Sequence, residues 1–131
     1  MKEADIRQWF AHYIDTFAAC CLGEREPDAL LAYYRVPLLI TDDDHASLLA
    51  DDAQVLGWAT DLLGQLRAAD YDHTDLLHLD IEPLNGSTAL CRTAISRRRH
   101  DGSEIAEGAG FYLVTNSPAG PRFSAVAALN P

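Results

Sequence analysis

The hydrophobic period changes part-way along the chain, and that change limits the folds open to it. Up to Ala69, apolar residues recur at helical spacing. Further on, Leu77, Leu79 and Ile81 alternate with His78, Asp80 and Glu82. A period of 3.6 marks a helix with one buried stripe, and a period of 2 marks a strand with one buried face. Helices followed by strands predict an α+β domain in which helices lie on one face of a curved antiparallel sheet.

The first helix is the strongest signal. Ile6, Trp9, Phe10, Tyr13, Ile14, Phe17 and the pair Cys20/Cys21 form its stripe, while Asp5, Arg7, Gln8, His12 and Asp15 fall off it. Gly23 ends it. Pro27-Asp28 opens a short second helix with Leu30, Leu31 and Tyr34 on its apolar side. An apolar run, Val36 to Ile40, then stops at Thr41, and Asp42, Asp43, Asp44 and His45 follow. Pro37 restricts this run to an edge strand or a strand's first residues. Asp51 and Asp52 are N-terminal cap candidates for a third helix, which carries Val55, Trp58, Leu62 and Leu66 and ends near Ala69.

Turn signals divide the rest. Asn85-Gly86 and Asp101-Gly102 predict tight hairpins between strands at 88–98 and 104–115, and a Pro- and Gly-containing loop at 116–121 precedes a last strand at 122–129. If both hairpins have two-residue loops, Leu79 lies opposite Arg92, Arg92 opposite Phe111, and Ser96 opposite Glu107. The inward face is then Leu77, Leu79, Ile81, Leu90, Ala94, Ala109, Phe111 and Leu113, interrupted by Arg92, Ser96 and Glu107. His78, Asp80, Glu82, Thr93 and Tyr112 fall on the other face, which is expected to meet solvent or a second subunit.

Composition narrows the partners. The 131 residues fit one domain, 1–131. A net charge of -10 disfavours nucleic acid, whose binding needs phosphates neutralised by Lys and Arg. The basic run Arg97-Arg98-Arg99-His100 is flanked by Asp101 and Glu104 and reads as a solvated hairpin end rather than an anion site. No apolar run is long enough for a membrane span, and MKEADIRQW lacks the apolar stretch of a signal peptide, so no membrane partner and a cytoplasmic location are expected. Cys20, Cys21 and Cys91 supply neither a disulfide framework nor a C-x-x-C motif, and the Cys20-Cys21 pair is expected to be buried filler. No Gly-rich phosphate loop, G-x-S-x-G or H-E-x-x-H is present, no EF-hand frame fits the Asp42–Asp44 run, and neither metal nor cofactor is expected. The stretch DYDHTD at 70–75 reads as a polar connection from helix to sheet.

This element order resembles the nuclear transport factor 2-like superfamily, which includes ketosteroid isomerase and the SnoaL-like polyketide cyclases. The resemblance covers nearly the whole chain. It implies a cystatin-like cone, about three N-terminal helices on a curved antiparallel sheet, a pocket between the two, and commonly a homodimer. In the isomerase branch a helix-ending aromatic precedes the general-base aspartate by eight residues, and Tyr34 precedes Asp42 by that interval. Asp42 is therefore the implied catalytic base, a carboxylate able to move a proton beside a carbonyl. The isomerases' oxyanion-holding acid has no counterpart at Ala109-Gly110-Phe111, and the position of their helix-borne tyrosine falls near Thr16 or Phe17, a turn from Tyr13.

The residues thus support a binding domain with an apolar pocket for a small apolar or carboxylate-bearing molecule. Tyr13, Trp58, Arg92, Glu107 and Phe111 are its candidate ligand-binding residues. Two alternatives stand beside it: a lyase, isomerase or cyclase acting on an apolar carbonyl compound through Asp42, with Arg92 stabilising charge, and a dimeric interaction module with a filled core. Arg92 carries the most weight, because a charge on an apolar face needs a partner such as Glu107 or a ligand.

Overall fold

A computed structural model describes residues 1–129. Helix α1 spans Glu3–Cys21 and buries Ile6, Phe10, Tyr13, Thr16, Phe17, Cys20 and Cys21 on one side. It ends in a Schellman turn. Gly23 takes φ +79°, and the amides of Glu24 and Gly23 donate to the carbonyls of Ala19 and Cys20 at 2.9 and 3.2 Å. Arg67 holds the same helix end from across the molecule, donating to the carbonyls of Cys21 and Cys20 at 3.0 and 3.3 Å. A 3-10 helix follows over Pro27–Ala32. Helix α2, Asp52–Ala68, starts where Asp51 accepts the amide of Gln54 at 2.9 Å, as the cap reading expects.

Six strands form one sheet: β1 (Tyr34–Thr41), β2 (Ala46–Leu49), β3 (Tyr71–Asn85), β4 (Thr88–Arg99), β5 (Glu104–Ser117) and β6 (Gly120–Leu129). Their order is β2-β1-β6-β5-β4-β3, with only β1–β6 parallel. The three helical segments and this curved, mostly antiparallel sheet are the α+β architecture expected. The core lies between them and is centred on Phe123, which is fully buried. Its ring lies 4.7 to 5.7 Å from those of Trp9, Phe10, Tyr13, Tyr34 and Tyr112. No helix among the described residues is long and apolar enough to cross a membrane.

Three expectations change. The strand carrying Pro37 is internal and not an edge, because the acidic run turns the chain back and β2 pairs with β1. Pro37 is tolerated because the β1–β6 ladder is interrupted between Tyr34 and Leu39, so its missing N–H breaks no bond there. The DYDHTD stretch is strand from Tyr71 onward, not connection.

The third change concerns register. The β4–β5 pairing is as expected: Arg92 lies opposite Phe111 and Ser96 opposite Glu107. The β3–β4 hairpin, however, turns on Gly86-Ser87, not Asn85-Gly86, because Asn85 pairs with Thr88 and its side chain accepts the Ser87 amide at 3.0 Å. Moving the turn by one residue shifts the pairing by two, and an irregularity between Pro83 and Asn85 takes one of these back, so Leu79 faces Thr93 and Ile81 faces Cys91. A slip of one residue turns every side chain of a strand over. Ala89, Cys91 and Thr93 are buried, while Arg92 is exposed. Leu77 lies in an irregularity between Leu76 and His78 and is 56% exposed, against 7% for Leu79.

Replacing Leu79 by Ala is expected to cost about 2–5 kcal/mol, and Leu77→Ala less than about 0.5 kcal/mol. Urea denaturation of both variants measures this. Equal costs would mean that the inward face runs through Leu77.

Candidate functional site

One cavity of about 310 Å³ opens between the helices and the sheet. Helix α1 contributes Tyr13 and Phe17, one turn apart, and α2 contributes Trp58 and Leu62 at the same spacing. Strand β1 brings Tyr34 at its start and Ile40, Thr41 and Asp42 at its end. The floor comes from alternate residues of adjacent strands: Thr93, Ile95 and Arg97 on β4, Gly108, Gly110 and Tyr112 on β5, and Val126 and Ala128 on β6. The glycines keep this floor low. A Cβ on Gly108 would stand 3.3 Å from Ile95 Cγ1, and one on Gly110 would stand 3.2 Å from Tyr112 Cε2 and 3.3 Å from the Ala127 carbonyl.

Among the candidate ligand-binding residues, Tyr13 and Trp58 line the cavity. Glu107 borders it, but shares its strand face with Phe111 and pairs with Ser96, so it is an exposed margin residue. Arg92 and Phe111 lie outside it, on the sheet face turned away from the helices. There the Arg92 guanidinium stacks 4.7 Å from the Phe111 ring centroid, and no Arg92–Glu107 ion pair forms. The physical reason is the hairpin slip described above. Asp42 reaches the cavity's edge as an exposed turn residue. One of its carboxylate oxygens accepts the amides of Asp44 and His45 at 2.9 and 2.8 Å, and those bonds hold its carboxyl below the usual range. Asp42, Asp44 and His45 offer ligand atoms within 4.8 Å of one another, all of them exposed. Their geometry is that of an Asx turn closing a hairpin.

The residue missed from sequence is Arg97. It lines the cavity, and its Nε is buried with no hydrogen-bond partner. Its guanidinium carbon lies 5.5 Å from the centroid of the Phe17 ring. Arg97 also borders a second void of about 20 Å³, shared with Tyr13, Ile14, Phe17, Thr74, Ile95 and Tyr112. The rest of the basic run is matched. Arg98 Nε lies 3.4 Å from Asp75, and Arg98 Nη2 lies 3.9 Å from Glu104. Arg99 donates to the carbonyls of Ala69 and Glu104, and His100 meets Asp70 at 3.0 Å. The available signal was parity: Cys91, Thr93, Ile95 and Arg97 form one alternating set.

Beside Arg97, the Tyr13 and Tyr34 hydroxyls hydrogen-bond to each other. Burial pushes both phenols above the usual tyrosine range, so both stay protonated. In such a pair one hydroxyl donates to the other, and the acceptor's own proton remains available to a third group. The three thiols are buried, Cys20 and Cys21 as expected. Burial raises all of them, with Cys91 pushed up to about 11, and none is a nucleophile at neutral pH.

A family model described as NTF2-like protein (DUF6841) matches residues 2–131. No curated protein matches the chain in sequence. Solved structures share its fold at low identity. A cystatin-like protein of unknown function from Nostoc punctiforme superposes with TM-score 0.73 at 8% identity, over 98% of this chain and 92% of that one. An NTF2-like protein with a cystatin-like fold from Novosphingobium aromaticivorans gives 0.69 at 16%, over 94% and 77%. A candidate aromatic ring hydroxylase from Novosphingobium aromaticivorans gives 0.68 at 16%, over 100% and 94%.

Alkaline stability tests the tyrosine pair. Phenols of the unfolded chain ionise near pH 10. Tyr13 and Tyr34 hold their protons higher in the folded chain, so above that pH the unfolded state gives up protons that the native state keeps. Each phenol then lowers stability by about 1.4 kcal/mol per pH unit, and neither matters below about pH 9. Urea midpoints are expected to fall steeply above about pH 10.5, and less steeply in Tyr34→Phe. Equal slopes in the two proteins would contradict the buried pair.

Proposed function

We propose that this chain, which belongs to the NTF2-like protein family, binds a small, largely apolar molecule in the cavity between its sheet and its helices. The observation that carries this reading is the cavity itself, about 310 Å³ of open space within a tightly packed aromatic core. That volume is at the small end of ligand sites, and its walls follow their usual composition: aromatic and aliphatic surface with a few convergent polar groups. Trp58, Leu62, Ile40 and Val126 offer the apolar surface, and Tyr13, Tyr34, Thr93 and Arg97 the polar atoms. Family and fold are compatible with many activities and add no substrate.

Carbonyl chemistry with Asp42 as base finds less support. A carboxylate bound by two amides, exposed, and held below the usual range is a weak base. A filled interaction module finds less still, because the interior is open.

The protein pairs, in this reading, with a second copy through the sheet face turned away from the helices. Leu48, Leu39, Ala125, Leu113 and Leu90 form one cross-strand row on that face, and Ala127, Phe111 and Arg92 belong to the next. Asp80 stands opposite Arg92 on β3, so two-fold pairing can set unlike charges together. Phe111→Glu is expected to shift sedimentation from dimer to monomer. A wild-type protein that is monomeric at all concentrations would sink this part.

The binding reading is tested by heating the protein with phenyl and indolyl compounds of cavity size. Ligands that engage the native state raise the melting temperature in proportion to concentration over Kd. Ala128→Trp, which places bulk at an exposed lining position, is expected to abolish the shift without unfolding the protein. Identical shifts in wild type and variant would place binding elsewhere.

A further inference from the structure

We propose that the ligand is an organic acid, a single carboxylate on a compact aromatic or aliphatic body, and that Arg97 binds the carboxylate. This rests on the small-molecule reading above and names its chemical class.

The chain has 20 acidic residues and 10 Lys and Arg. The other arginines of the neighbouring strands are engaged: Arg98 has Asp75 and Glu104, Arg99 and Arg122 donate to backbone carbonyls, and Arg92 stacks on Phe111. Among the described residues Arg97 has neither a carboxylate within ion-pair distance nor a hydrogen bond; its Nε is buried, as is that of Arg98, but the Arg98 Nε lies 3.4 Å from Asp75. The two acids that border the cavity face elsewhere: Asp42 is engaged by its own turn, and Glu107 lies on the opposite side of β5. A half-buried charge without a counter-charge is costly, and a ligand that supplies the counter-charge offsets that cost.

The completing group must be an anion. A neutral carbonyl satisfies the N–H donors but leaves the positive charge uncompensated in a low-dielectric wall. A carboxylate satisfies both, through parallel N–H···O bonds to the planar guanidinium. The Phe17 ring lies 5.5 Å from the guanidinium carbon, so one side of the group is covered by an aromatic ring and cannot reach an acceptor there. The protonated Tyr13–Tyr34 pair lines the same cavity and supplies a further donor but no charge. An ammonium ligand would be repelled by Arg97 and would find no carboxylate turned toward it.

The apolar body is required too. A net charge of -10 opposes the approach of any small anion. Burial against Trp58, Leu62, Ile40 and Val126 is what draws the molecule in. Inorganic phosphate and sulfate lack that surface and are expected not to bind.

The test compares 3-phenylpropanoate and indole-3-acetate with their carboxamides by calorimetric titration at neutral pH. The acids are expected to bind at least about tenfold tighter than the amides, the yield of a charge-assisted pair over a neutral one. Arg97→Gln is expected to remove that difference by weakening the acids and leaving amide affinity unchanged. Arg92→Gln, on the outer face, is expected to leave the acid preference intact. Equal affinity of acid and amide in the wild type would overturn the anion proposal and leave small-molecule binding standing. Absence of any binding that Ala128→Trp blocks would overturn both.

Stability gives a separate readout. If Arg97 serves a ligand and not the fold, Arg97→Met removes an unpaired, half-buried charge, and the ligand-free protein is expected to melt at the same temperature or higher. A large drop would make the arginine structural and overturn its assignment.

Discussion

Strand β4 carries arginines at 92 and 97, an odd number of residues apart, so the two necessarily occupy opposite faces of the sheet. One must enter the molecule and the other must leave it, and the β3–β4 hairpin decides which. Asn85 closes that hairpin by accepting the Ser87 amide, which places the turn on Gly86-Ser87. Everything laid over the sheet follows from this turn together with the irregularity beside it, between Pro83 and Asn85. Thr93, Ile95 and Arg97 become the floor of the cavity, Gly110 and Tyr112 follow on β5, and Arg92 stacks on Phe111 outside. With the turn on Gly86-Ser87 but no irregularity between Pro83 and Asn85, Leu79 would face Ala94, and Arg92 would lie beneath the helices with Cys91 and Thr93 in solvent.

The helices respond to that floor. Their aromatic residues converge on Phe123, which touches rings from α1, β1 and β5 at once. Large rings packed edge to face fill most of the interior, but the glycines at 108 and 110 keep part of the floor from rising to meet them. The space that remains lies between Trp58 and Leu62 of α2 and Arg97 of β4. One wall is apolar and the other carries a charge, and the ligand class proposed above follows from that asymmetry.

Much of the fold was legible in the sequence because helix stripes, caps and turn residues are local signals. The stripe from Ile6 to Cys21, the stop at Gly23, the Asp51 cap and the β4–β5 register all stand in the structure. Strand β2 was not legible, because four mostly exposed residues after three aspartates carry no period. The site was legible in part. Tyr13 and Trp58 lie on helical stripes, and their direction follows from helix geometry. Arg92, Phe111 and Arg97 were misassigned together, because the pairing parity that sets a strand's face is changed by an irregularity between Pro83 and Asn85 that a turn-based register does not contain. The sequence alternation Leu77-Leu79-Ile81 pointed to the right face for Leu79 and concealed the irregularity that exposes Leu77.

The claim on which the rest depends is that Arg97, and not Arg92, faces the cavity and meets an acid there. Nitrogen–proton correlation spectra of the arginine Nε–H groups, recorded while 3-phenylpropanoate is added, test it residue by residue. The account predicts that the Arg97 signal, assigned by its loss in Arg97→Gln, shifts and becomes protected from solvent exchange while the Arg92 signal stays in place. Movement of Arg92 with Arg97 unchanged would contradict it.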